Sequence, residues 1–92
     1  MRPLSQALPG ALAELLRDAP LSPGKVNFAW RAAVGAGVER VTAVRLEGGV
    51  LVVEAASTQW AHEITRSSPL ILARLKMLLG RDTISRIVVR EP

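Results

Sequence analysis

Two adjacent glycines, Gly48 and Gly49, separate two runs rich in β-branched residues, over 40–47 and 50–55. A two-residue connection between strands needs positive φ, which glycine adopts without a steric cost, so this pattern specifies a β-hairpin. A third β-branched run spans 83–90. Neither hairpin strand alternates cleanly between apolar and polar residues, which leaves open the face that is buried. At 92 residues the chain has the length of one domain. Such a domain removes roughly 60 to 68% of its extended-chain surface from water, enough for one small core.

Helical periodicity surrounds the hairpin. Over 9–18, Leu12, Leu15 and Leu16 share one face and Pro9 suits a first helical position. Ser22-Pro23 then supplies a cap and a first-turn proline for a helix over 23–37, whose stripe is Val26, Ala29, Trp30, Ala33, Val34 and Gly37. After the hairpin, Ser57 or Thr58 caps a helix with Trp60, Ala61 and Ile64 facing inward. The residue before a proline is biased away from the α region, so Ser68-Pro69 predicts a break. A separate helix over 69–79 then buries Ile71, Leu72, Leu75, Leu78 and Leu79 and stops at Gly80. The expected order is α-α-β-β-α-α-β, an α/β (α+β) domain in which helices cover one face of a small three-stranded sheet. Residues 1–22, which contain Pro3, Pro9 and Pro20, form an N-terminal segment, and residues 23–92 form the domain.

Composition narrows the chemistry. There is no cysteine and a single histidine, His62, so disulfide scaffolds, thiolate metal sites and histidine-rich metal cages are excluded. No phosphate-cradling glycine loop and no carboxylate cluster suited to Mg²⁺ is present, so no catalytic residues, metal or cofactor are expected. His62 beside Glu63 lacks a nucleophile or metal partner and reads as a surface residue. No apolar run approaches the roughly 18 residues of a membrane span, and no secretory signal pattern develops, so a soluble cytoplasmic protein is expected.

The net charge is +4, and ten of the twelve cations are arginine. Arginine's planar fork suits phosphate and base edges, although an arginine-rich genome produces the same bias. Residues 60–92 hold Arg66, Arg74, Lys76, Arg81, Arg86 and Arg90 against Glu63, Asp82 and Glu91, so the excess is concentrated there.

Several spacings resemble the DciA family: Trp30-x3-Val34-Gly35, Gly48-Gly49-x-Leu51-x-Val53, Ser57-x2-Trp60-Ala61-x-Glu63-Ile64, Leu72-x2-Leu75-x3-Leu79-Gly80 and Ile84-x2-Ile87-x-Val89-Arg90. The resemblance covers about residues 10–90. It implies a KH-like domain, of pseudo type II, that binds DNA without sequence preference. The same resemblance implies contact with the DnaB-type replicative helicase of bacteria, which the protein helps to load at the initiation of replication. A KH domain clamps nucleic acid with a GXXG loop between consecutive helices, whereas the junction here reads Arg66-Ser67-Ser68-Pro69. Contact with DNA is therefore expected through exposed cations. Many relatives engage the helicase through a C-terminal extension; with Pro92 as the last residue of this sequence, any helicase contact is expected through the domain itself or the N-terminal segment.

The candidate nucleic-acid-binding residues are Arg45, Arg66, Arg74, Lys76, Arg81, Arg86 and Arg90, against the plainer reading of a solvated surface with pairs such as Glu63 and Arg66. Four to six phosphate contacts would give a salt slope of about −4 to −5 on duplex DNA. Trp30 and Trp60 lie on apolar stripes and read as core rather than stacking platforms. Phe28 lies off its stripe, and Leu70 and Met77 line a second apolar side of their helix. These three are candidate partner-binding residues, for the helicase or a weak homodimer, unless the N-terminal helix covers them. Two other functions remain open, a KH-like RNA-binding module and a protein-interaction domain that binds no nucleic acid.

Overall fold

A computed structural model describes residues 18–92. Helix α1 (Pro23–Val34) and the short α2 (Ala36–Arg40) precede strands β1 (Thr42–Glu47) and β2 (Val50–Ala55). The long helix α3 (Thr58–Leu79) and strand β3 (Arg86–Arg90) follow. The helix expected over 9–18 lies outside the described residues apart from Asp18.

The cap expected at Ser22 is formed: its hydroxyl accepts the Lys25 amide at 3.1 Å, with Pro23 in the first turn. Lys25 itself is buried, and its ammonium donates to the Ala19 carbonyl at 2.6 Å. Along α1, Val26, Ala29, Trp30 and Ala33 turn into the core. The helix expected over 23–37 ends instead at Val34, because Gly35 adopts φ 87° and ψ 163°, a conformation nearly confined to glycine. Its amide still donates to the Arg31 carbonyl at 2.8 Å, and its carbonyl accepts from Glu39 as α2 begins. The chain thus changes direction at one residue. Buried Trp30 is anchored beyond that bend: its indole Nε1 donates to Thr42 Oγ1 at 2.8 Å, and that hydroxyl donates to the Val38 carbonyl at 2.8 Å.

The hairpin forms as its glycines require. Gly48 and Gly49 both have positive φ, 55° and 81°, and Glu47 pairs with Val50 across the turn. Strand β1 begins at Thr42, two residues later than expected, since Arg40 closes α2. The sheet order is β1-β2-β3, with β1 antiparallel and β3 parallel to the central β2. Val44, Leu46, Leu51, Val53, Ala55, Ile87 and Val89 face the helices and pack into the core with Trp30, Leu75, Leu78 and Ile84. The opposite face carries Ala43, Arg45, Glu47, Val50, Val52, Glu54, Arg86, Val88 and Arg90.

The helices expected on either side of Ser68-Pro69 are one. Ser57 caps α3 by accepting the Trp60 amide at 3.1 Å, and the helix runs without interruption to Leu79, capped by Gly80. The reason lies in phase: Ala61, Ile64, Ile71, Leu75 and Leu78 are all buried, with Ser68 half-buried among them, and they follow an alternating three- and four-residue spacing through the proline. A restarted helix would lose that register. Pro69 cannot donate to Thr65, but the Ser68 hydroxyl donates to the Thr65 carbonyl at 2.9 Å and satisfies the acceptor the proline leaves over. The resulting order, α-α-β-β-α-β over the described residues, is that of a small α+β domain consistent with a KH-like fold.

Trp60 also departs from expectation. It lies at the edge of the α3 stripe rather than within it, and it is 37% exposed where Trp30 is 1% exposed.

Candidate nucleic-acid interface

The seven candidate cations fall into two groups. Three are engaged by the protein. Arg45, on the open face of the sheet, bonds Glu47 at 2.5 Å and Glu54 at 3.2 Å, and these carboxylates, Glu47 foremost, hold its guanidinium above its ordinary pKa. Arg66 lies 3.3 Å from Glu63, the one-turn pair anticipated on the helix surface. Arg74 is half-buried and turned toward α1, where Nη1 donates to the Ala33 carbonyl at 2.9 Å. That carbonyl sits in the last turn of α1, where the bend at Gly35 removes a backbone donor, so Arg74 serves as a side-chain cap.

The other four are Lys76, Arg81, Arg86 and Arg90. Among the described residues none of them has a carboxylate within 4.0 Å. They collect around β3. Arg86 and Arg90 stand at its two ends on the open face of the sheet, separated by about 13 Å of extended chain. Arg81 is exposed in the turn between α3 and β3, and the helix repeat places Lys76 on the side of α3 shared with His62, which approaches Glu91 beyond β3. The β3 entrance is fixed to the hairpin, because Ser85 donates to the Gly49 carbonyl from both its amide, at 2.7 Å, and its hydroxyl, at 3.1 Å. Where a KH clamp loop would be, residues 66–69 form an unbroken stretch of helix.

The candidate partner-binding residues lie on the helical side. Phe28, Leu70 and Met77 are each more than half exposed. Leu70 and the edge of Trp60 border a cleft of about 220 Å³ between α3 and the end of α1, floored by Ala33, Ile64 and Ile71 and flanked by Val38 of α2. No local sequence signal marks this cleft, since it exists only because α2 departs from α1 at Gly35 and α3 is continuous. A second cleft, of about 310 Å³, lies between the start of α1 and β1. Among the described residues no helix is long and apolar enough to cross a membrane, and no group of three or more acidic or histidine side chains could hold a metal ion.

The family model described as "Dna[CI] antecedent, DciA" matches residues 3–89. The chain belongs to the DciA family. Membership connects this domain to loading of the DnaB helicase, as one of a family of accessory proteins. No curated protein and no solved structure matches the chain. For this DciA-family domain, the helical side and the β3 side therefore offer two separate surfaces, one apolar and one basic.

Proposed function

We propose that the protein is a DNA-binding accessory factor that contacts the bacterial replicative helicase and helps to load it when DNA replication begins. The observation that carries this reading is the family match over residues 3–89. The distribution of charge supports its DNA-binding part: among the described residues Lys76, Arg81, Arg86 and Arg90 have no carboxylate partner, whereas Arg45, Arg66 and Arg74 are engaged internally. Cations of the first kind can neutralise phosphate without first breaking a protein contact. Phosphate contacts of this kind carry no sequence information, which supports binding without sequence preference.

Helicase contact is assigned to Phe28, Leu70 and Met77, which leave apolar surface in water on the helical side. The protein works in the cytoplasm by binding alone. Engaging DNA with one side and the helicase with the other raises the concentration of each near its partner and favours the helicase conformation it binds best.

The test is a titration with helicase and DNA, separately and together. Binding to the cognate helicase at micromolar concentration is expected, with weakening by Leu70→Ala and Met77→Ala and no change in DNA affinity. Replacing Arg86 and Arg90 by Ala should reduce the magnitude of the DNA salt slope by about 2, close to one per lost phosphate contact. Absence of helicase binding at that concentration would overturn the loading role. An unchanged salt slope would remove DNA from the β3 side, and tighter binding of single-stranded RNA would favour an RNA-binding module instead.

A further inference from the structure

The open face of the sheet is a grid of three rows. In register across β1, β2 and β3 they read Glu47, Val50, Arg86; then Arg45, Val52, Val88; then Ala43, Glu54, Arg90. On the β1 side the charges close on themselves, Arg45 reaching Glu47 along its own strand and Glu54 diagonally across to β2. Glu54 stands opposite Arg90 in register but is taken by Arg45, so the arginines of β3 are left with no carboxylate on the sheet. Val88 lies between them, half-buried.

Beyond β3 there is no further strand among the described residues, and its backbone groups bond only to β2. Among the described residues the outer edge of β3 therefore presents N–H and C=O groups without a strand partner, flanked by two arginines. Such an edge accepts an added strand through main-chain bonds, with side chains at alternate positions setting selectivity. Facing side chains in an added strand would stand beside Arg86, Val88 and Arg90. Their complements are an anion, an apolar group and an anion.

We propose that the outer edge of β3 receives an extended acidic segment of a partner protein as a fourth strand, with carboxylates beside Arg86 and Arg90 and an apolar side chain beside Val88. The docked strand completes on the β3 side the charge pairing that Arg45 already completes on the β1 side. It does not depend on DNA binding, although DNA held by Arg86 and Arg90 would compete with it.

The experiment uses the full chain without DNA, and a short fluorescein-labelled peptide with the sequence Glu-Thr-Val-Thr-Glu, which places glutamate, valine and glutamate on one face of a strand, followed by anisotropy and by amide chemical shifts. Binding is expected, with shifts at the amides of Ile87, Val88 and Val89. N-methylation of alternate peptide amides should abolish it, since the methyl groups remove the main-chain donors. The double reversal Arg86→Glu and Arg90→Glu should weaken the acidic peptide by about tenfold and transfer binding to the matching Lys-Thr-Val-Thr-Lys peptide. Both substitutions are at exposed positions, and a far-ultraviolet spectrum with the melting temperature checks the fold. Equal binding of the N-methylated peptide, shifts confined to α1 and α3, or no binding at millimolar peptide would overturn the proposal and leave the arginines as guards against unwanted strand pairing.

Discussion

Thr42 holds three parts of the molecule through one hydroxyl. It accepts from the indole of Trp30 in α1 and donates to the Val38 carbonyl within α2, while its own backbone starts β1. Thr42→Val keeps the shape and the β propensity but leaves a buried indole N–H without its acceptor. The expected loss is about 1–3 kcal/mol of stability, read from urea unfolding, with an unchanged m-value. Gly35 poses a different constraint. Space around it is open, so an added Cβ meets nothing within 4 Å, yet its φ of 87° with ψ of 163° is strained for any L side chain. Gly35→Ala should therefore cost about 1–3 kcal/mol through the backbone alone. Thermal melting of the variant checks this, and an unchanged midpoint would mean that the bend is not maintained in solution.

The elements show which parts of the sequence carry their meaning locally. The hairpin was legible because Gly48-Gly49 specifies a turn by itself, and the caps at Ser22, Ser57 and Gly80 follow from residue type and position. Trp30 was legible as core from its stripe. Two of the boundaries that differ from expectation involve competition between a local rule and a longer-range one. At Gly35 the periodic stripe continues in sequence to Gly37, but a single backbone conformation ends the helix; at Pro69 the local bias toward a break yields to a continuous buried stripe from Ala61 to Leu78. Counting that stripe through Ser68 would have revealed a single helix. The pairing of Ser68 with Thr65 gives a direct test. Pro69→Ala restores a backbone donor and should raise stability by about 1–3 kcal/mol, and the cost of Ser68→Ala should be smaller in that background than in the original chain. A double-mutant cycle followed by chemical unfolding checks both, with purely additive changes excluding the compensation.

At the scale of the whole molecule, charge counted along the chain differs from charge available at a surface. Six cations beyond residue 60 suggested one basic face, but Arg74 is used to cap α1 and Arg66 is paired, and the fold alone decides this. The sequence contains no local signal that Arg74 would meet Ala33, since 41 residues separate them. Arg74→Ala should accordingly destabilise the domain by about 1–2 kcal/mol while leaving the salt slope of DNA binding as it was. Measuring unfolding and DNA affinity on the same variant separates the two roles; a changed slope with full stability would return Arg74 to the interface. The partner-binding side was legible only in part, because exposure of Phe28, Leu70 and Met77 follows from helix phase but the cleft beside Leu70 needs three helices in place.

The parallel pairing of β2 with β3 bears on the order in which the domain assembles. The hairpin closes over two residues, whereas β3 reaches β2 only after the whole of α3 and its following turn have been laid across the sheet. Closing a loop of that length costs conformational entropy before any pairing returns it. Formation of β3 should therefore trail the hairpin in refolding, so that truncation of core side chains in α3 slows folding more than substitutions at the exposed ends of β3. The last strand to dock is then also an edge strand of the described sheet.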